Sequence, residues 1–175
     1  MSDPRYPVGP FRSRTELQQS ERRAMIEEIA AAPAHLREAV RGLSDEQLDT
    51  PYRDGGWTVR QVAHHLPDSH MNGFTRLKLA LTEDEPTVRP YDESSWAGLA
   101  DVRATPIDVS LALLDALHAR WLTIWNALAD ASYRRTLRHP EHDGVLTVDW
   151  LLAQYSWHGR HHVGHITSLR ERRGW

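Results

Sequence analysis

Histidine is where this chain concentrates its chemistry: the sequence holds 11 of them and no cysteine. Four fall close together near the end, at His158, His161, His162 and His165. This spacing makes two i, i+4 pairs, 158/162 and 161/165. Either pair would set two imidazoles on one helix face within reach of a single cation. Helical periodicity separates the pairs. At about 100° per residue, Val148, Leu151, Tyr155, Ile166 and Leu169 gather around one direction. His158 and His162 lie at the edge of that apolar stripe and should look inward. His161 and His165 rotate away from it, which puts His161 nearer solvent or the mouth of a site. Two inward imidazoles are costly unless something satisfies them. A divalent metal would serve both; a carbonyl, a carboxylate or water would also serve, so the pair alone does not decide.

A catalytic metal site takes at least three protein ligands and keeps an open position. A second stretch offers His64, His65 and His70 around Pro67. Val59, Val62, Leu66 and Leu77 set its core direction. On that count His64 points to water, His65 sits on a flank and His70 lies near the core. The third ligand is therefore His65 or His70, with a lean to His70. Pro67 removes a backbone bond to the Ala63 carbonyl and bends the helix here, so positions around it are approximate. Without cysteine there are no disulfides, thiolate metal sites, iron–sulfur clusters or Cys nucleophiles. The other side chains read as scaffold: His118 structural in mid-helix, His139 and His142 solvated in a Pro/Gly loop, Arg134 and Arg135 a surface pair. The 7 Trp residues read as core and pocket walls.

These groups need rigid elements to hold them. A first amphipathic helix is expected from Glu16 to about Leu43, kinked or split at Pro33. Ser44 with Gln47 is a capping box for a short turn, and Thr58 with Gln61 opens a second long helix to about Leu81. Thr82 to Thr105 is a crossover, too long for a tight hairpin. Thr105, Pro106 and Asp108 signal an N-cap, a first-position proline and an acidic first turn, starting a third helix that runs to about Leu128. Residues 136–147 read as a hairpin or loop around Pro140 and the Asp143-Gly144 pair. Thr147 caps a fourth helix to about Arg172, with Gly174 as its stop. The fold class is therefore all-α: one four-helix-bundle domain over residues 1–175, with 1–14 as an extended arm. The long crossover lets the second and third helices run parallel, in an up-down-down-up order with antiparallel hairpins between helices one and two and between three and four.

At 175 residues, with 40% hydrophobic and 26% charged residues, the chain suits one globular domain. The net charge of −3 argues against a general nucleic-acid or anionic-membrane binder. The first residues lack a basic-then-apolar leader pattern, and no apolar run approaches the roughly 18 residues of a membrane helix. A cytoplasmic location is the expectation.

Several stretches resemble a known family: residues 51–62, His64-His65-Leu66, Asp68 to Asn72, Arg89 to Glu93, and Trp157-His158 with His161-His162. Together they are similar, over essentially the whole chain, to the YfiT type of the DinB superfamily of four-helix-bundle metalloproteins. The resemblance implies a metal held by one His of the second helix and an i, i+4 pair of the fourth. Carried over by motif, these are His65, His158 and His162, with His65 displacing the lean to His70. It further implies metal-dependent hydrolysis, or transfer of the small thiol bacillithiol to electrophiles, and a tendency to homodimers. Where the family motif commonly reads Trp-His-Ser-His, this chain has Trp157-His158-Gly159-Arg160, which changes the lining beside the site.

Three neutral imidazoles would leave one divalent ion per chain close to its full charge. Zn2+ suits such a set and Ni2+ is compatible with it. The ion would lower the pKa of bound water to about 7, and it would equally deprotonate a cosubstrate thiol. No HExxH-type carboxylate accompanies the histidines, which favours thiol transfer to an electrophile over hydrolysis. Asp68, three residues after His65, would orient an imidazole from behind. Arg160 and His161 are candidates to contact substrate, Arg160 through an anionic group. A non-catalytic, metal- or pH-responsive dimeric bundle is the third reading.

Overall fold

The computed structural model describes residues 3–142 and 144–175. Asp143 of the expected turn and the first two residues of the arm lie outside the described residues. The elements are α1 (Gln19–Val40), α2 (Asp45–Leu48), α3 (Val59–Thr82), α4 (Glu93–Ala97), α5 (Ala100–Ala104) and α6 (Ile107–Ala127). A 3-10 turn (Asp130–Arg134), β1 (Thr136–Arg138), β2 (Val145–Thr147) and α7 (Val148–Arg173) complete the chain.

The long helices α1, α3, α6 and α7 form the bundle, and their ends give its directions. Leu17, at the entrance to α1, donates its backbone N–H to Asp149 in the first turn of α7, while Arg170 near the end of α7 reaches the Ala39 carbonyl. These two helices run parallel. Likewise His64 and His70 of α3 meet Ser110 and His118 of α6 in the same order, so α3 and α6 run parallel. Arg37 pairs with Asp115, and Arg172 bonds the Tyr52 carbonyl, which makes α1/α6 and α3/α7 antiparallel. The order is up-down-down-up, as expected. The hairpin neighbours differ from expectation: α1 packs on α6 and α7, α3 packs on the same two, and α1 scarcely meets α3. The segments joining α1 to α3 and α6 to α7 are long enough to cross the bundle's diagonal, so consecutive helices need not be neighbours.

Local signals account for most boundaries. Thr58 and Thr147 each accept a hydrogen bond from the third residue of the helix they precede. Gly174 ends α7 at a φ of 69°, the left-handed conformation that glycine adopts without a Cβ penalty. Three boundaries differ. α1 begins at Gln19 and continues through Pro33 unbroken, and α6 begins at Ile107 with Pro106 before it rather than Thr105 as cap. The crossover is also partly helical, carrying α4 and α5. β1 and β2 pair antiparallel, and Val88 of the crossover bonds the Arg138 carbonyl beside them.

Two apolar clusters fill the bundle. One centres on Trp121, Trp125 and Tyr155, the other on Leu36, Leu66, Leu114 and Ile166. At the start of the bundle Asp149 is buried and accepts two bonds from the Arg22 guanidinium, at 2.7 and 2.8 Å, so its charge is fully paired. The N-terminal arm is stitched along α7. Trp157 Nε1 donates to the Gly9 carbonyl at 3.0 Å, Trp150 Nε1 to Ser13 at 3.1 Å, and Thr147 to the Thr15 carbonyl at 2.7 Å.

Candidate metal centre

α3 and α7 pass each other antiparallel at mid-length, and their inward histidines meet there. His65, His158 and His162 each turn one ring nitrogen to a common point, those atoms all lying within 4.8 Å of one another. The Nε2 atoms of His65 and His158 face each other at 3.3 Å. Trp57 closes one side, tilted on His65 at a centroid distance of 4.7 Å and stacked on His162 at 6.2 Å.

The electrostatics suit a cation. Burial holds His65 down at about 4. His158 and His162 are held well below the usual imidazole value, first by burial and then by the neighbouring rings. All three are therefore neutral at pH 7 and keep the lone pairs that ligation needs. Buried imidazoles that converge in this way are costly unless paired, and His162 Nδ1 has no hydrogen-bond partner among the described residues. A divalent cation fits the donor set: nitrogen ligands, three in number, close together and uncharged.

Other residues singled out in the sequence fall elsewhere. His70 lies outside the convergent trio; its Nε2 is 3.2 Å from His158 Nδ1, behind the ligand ring. Asp68 makes no hydrogen bond to His65 among the described residues, and burial raises its carboxyl to about 6. Arg160 is exposed and directed at α1, 3.3 Å from the Glu28 carboxylate, rather than into the site. His161 is buried, not solvent-facing: it stacks on Trp157 at 4.2 Å beneath Tyr6 of the arm. His165 is covered by the same arm, bonded to the Arg5 carbonyl, and stacks on Tyr52 at 3.9 Å. His64, expected in water, is buried against Ser110 of α6 at 2.7 Å. His139 is buried too, beside an exposed His142 that rests on Trp150. Arg134 and Arg135 are exposed as expected, Arg135 also bonding the Ala80 and Glu83 carbonyls at the end of α3.

A cavity of about 100 Å³ opens beside His158. Its walls include Ser69, Arg76, Tyr91, Glu93, His139 and Tyr155, none of them chosen as site residues from sequence. Ser69 Oγ is 3.4 Å from His158 Nε2, and Arg76 reaches the Tyr155 hydroxyl at 3.4 Å. Burial, helped by Glu141, raises the Glu93 carboxyl, and burial raises both tyrosines. A usable signal existed. Ser69 and Arg76 follow His65 by four and eleven residues, a helical repeat on one face of α3, while Tyr91 and Glu93 belong to the Arg89 to Glu93 motif.

The chain is similar to known proteins in sequence and in fold. The profile of the DinB superfamily matches residues 28–166. The "Putative metal-dependent hydrolase YfiT" of Bacillus subtilis is 46% identical over 170 residues, 97% of this chain and 96% of its own. A relative from Geobacillus kaustophilus, given the same functional name, is 49% identical over 171 residues, 98% of this chain and 96% of its own. The solved structure of B. subtilis YfiT, described as "a probable metal-dependent hydrolase with an unusual four-helix bundle topology", superposes with a TM-score of 0.95 at 45% identity, covering 98% of each chain. The chain belongs to the DinB superfamily.

Proposed function

We propose that this protein is a metal-dependent enzyme in which His65, His158 and His162 hold one divalent cation, Zn2+ or Ni2+, and that it transfers a low-molecular-weight thiol of the bacillithiol type to electrophiles. The observation that carries the reading is the convergence of three buried, neutral imidazoles from α3 and α7 next to a small cavity. When bound, the cation supplies Lewis acidity that favours the deprotonated form of a thiol or water at its remaining position. The chain itself contains no thiol, so the sulfur must come from a cosubstrate.

The protein's own groups would do the rest. Trp57 shields the rings on one side, and the cavity volume admits a small group only. Arg76 offers a guanidinium to an anionic portion of the cosubstrate, a role the sequence reading gave to Arg160. Ser69 and Tyr91 present hydroxyls that can hold a proton or orient a polar substituent at the cavity wall.

Metal-dependent hydrolysis is the second reading, favoured by Glu93 and Glu141 in the cavity wall, where a carboxylate could take a proton. Homodimerisation is part of the same reading, supported by the exposed Val109 and Leu113 one turn apart on α6. One experiment separates the reactions. Metal-loaded and chelated protein are incubated with a panel of small thiols plus chlorodinitrobenzene, and separately with activated esters and amides. Metal-dependent thiol consumption supports transfer; metal-dependent cleavage without it moves the assignment to hydrolysis. His158→Ala should lose most of roughly one metal per chain, and an unchanged content by mass spectrometry would refute the centre.

A further inference from the structure

Behind the candidate ligand His158 lie two more buried rings, His70 and His118, and the hydrogen-bond polarity of the chain they form with it can be worked out completely. We propose that His118 and His70 are positioning residues: they relay a fixed polarity from the Ile29 carbonyl to His158, keep its proton on Nδ1, and turn its bare Nε2 toward His65 and His162. The relay's consequence for metal binding rests on the metal-centre reading above; the relay itself does not.

A carbonyl oxygen can only accept. His118 Nδ1 lies 2.8 Å from the Ile29 oxygen, so His118 carries its proton there. Its Nε2 is then an acceptor, and His70 Nδ1, at 2.7 Å, must donate to it. His70 Nε2 is left as an acceptor, 3.2 Å from His158 Nδ1, which must donate in turn. His158 Nε2 therefore has no proton, and it is the nitrogen that faces His65 Nε2. The logic requires neutral rings with one donor and one acceptor each. Burial provides them, holding His118 at about 4 and His70 well below its ordinary value.

The first acceptor has its own explanation in the sequence. In α1 the Ile29 carbonyl would ordinarily receive the N–H of the residue four positions on, which is Pro33 and has none. Pro33 thus frees a carbonyl in mid-helix, and His118 of α6 takes it. The rings are held in place. His70 and His118 lie nearly parallel, 13° apart, with the Trp121 ring edge-on to both at 5.7 Å. Tyr155 stands edge-on to His70 at 5.3 Å, and a Cβ on Gly159 would come 3.7 Å from His70 Cε1. Aromatic rings therefore pack against both imidazoles.

The test begins with the wild-type apoprotein labelled with 15N at histidine. Long-range 1H–15N correlation at pH 7.5 should report Nδ1–H for His118, His70 and His158; an Nε2–H tautomer at His158 overturns the proposal without any variant. Two substitutions then read the consequence. His118→Leu removes the acceptor, and Zn2+ affinity, measured by competition with a chromophoric chelator, should weaken about 10- to 100-fold. His118→Gln donates from its amide and accepts at its oxygen, so it should restore both the affinity, to within a few-fold, and the His158 tautomer. A folded Leu variant with wild-type affinity, or equal losses in Leu and Gln, overturns the relay. A wild-type chain that binds no Zn2+ overturns the metal centre instead, and the NMR pattern still decides the relay.

Discussion

Acidification should unfold the apoprotein through its own buried imidazoles, by an amount that can be worked out. His65 and His118 both titrate at about 4 in the folded chain, against about 6.5 when unfolded. Both values are depressed, so on lowering the pH the unfolded chain takes up protons first. Stability is full above the unfolded value and falls progressively between about pH 6.5 and pH 4. At pH 5 each ring costs about 2 kcal/mol relative to pH 7.5, and the two together about 4 kcal/mol. That is a large share of the roughly 5–15 kcal/mol that holds a domain together. His70, His158 and His162 shift the same way and add to the loss. Asp68 and Glu93 oppose it, because a raised carboxyl gains stability as pH falls, but neither is fully buried and they offset a fraction. The assay is urea unfolding of chelator-treated protein at pH 7.5 and pH 5, with Asp68→Asn as a second chain relieved of one opposing carboxyl. With a urea slope near 2 kcal/mol/M, the midpoint should fall by about 2 M. A midpoint that moves by less than about 0.5 M in Asp68→Asn would refute neutral burial of these rings.

Three further outcomes follow from packing and charge. In Gly73→Ala the new Cβ would come 2.4–2.7 Å from three carbons of the Tyr155 ring, so overpacking should cost about 1–3 kcal/mol and lower Tm by several degrees in calorimetry. Asp149→Ala leaves the partly buried Arg22 guanidinium with only the exposed Asp130 carboxylate at 3.6 Å and should cost about 3 kcal/mol in chemical unfolding; a loss under 1 kcal/mol would mean water reaches the pair. Gly164→Leu pushes into Pro7 and Val8 of the arm, which already lie 3.0–3.2 Å from a Cβ built there. Trypsin should then cleave after Arg5 markedly faster than in wild type, while the bundle's far-ultraviolet dichroism is unchanged.

The bundle itself was legible because capping residues and apolar spacing are local. Thr58, Thr147 and Gly174 mark helix ends through their immediate neighbours, and His158 with His162 declared an inward face through the residues one turn either side. What failed was the assumption that each helix has one buried face. α7 is also covered by the N-terminal arm, so His161, expected nearer solvent or the mouth of a site, and His165, expected to turn away from the apolar stripe, are both buried. The same error put His64 in water, where α6 covers it with Ser110. His70 was chosen as near the core, and it is, but core direction cannot distinguish a ring in the trio from one behind it. The relay needs the register of α3 against α6, and the cavity needs the crossover folded over α3; neither register is written within a single helix. Pro33 reads in the sequence as a kink or a split of the helix, whereas α1 runs through it and its missing N–H matters for what it leaves free on Ile29.

The trio draws one ring from α3 and two from α7, the last of the elements described. While the protein is being made, His65 leaves the ribosome long before its companions, and alone it has little hold on an ion. The arm waits as well, since its anchors Trp150, Trp157 and Gly164 all belong to that final helix. Assembly of the trio therefore waits for α7, and any product truncated ahead of Trp157 would lack two of its three rings and two of the arm's anchors.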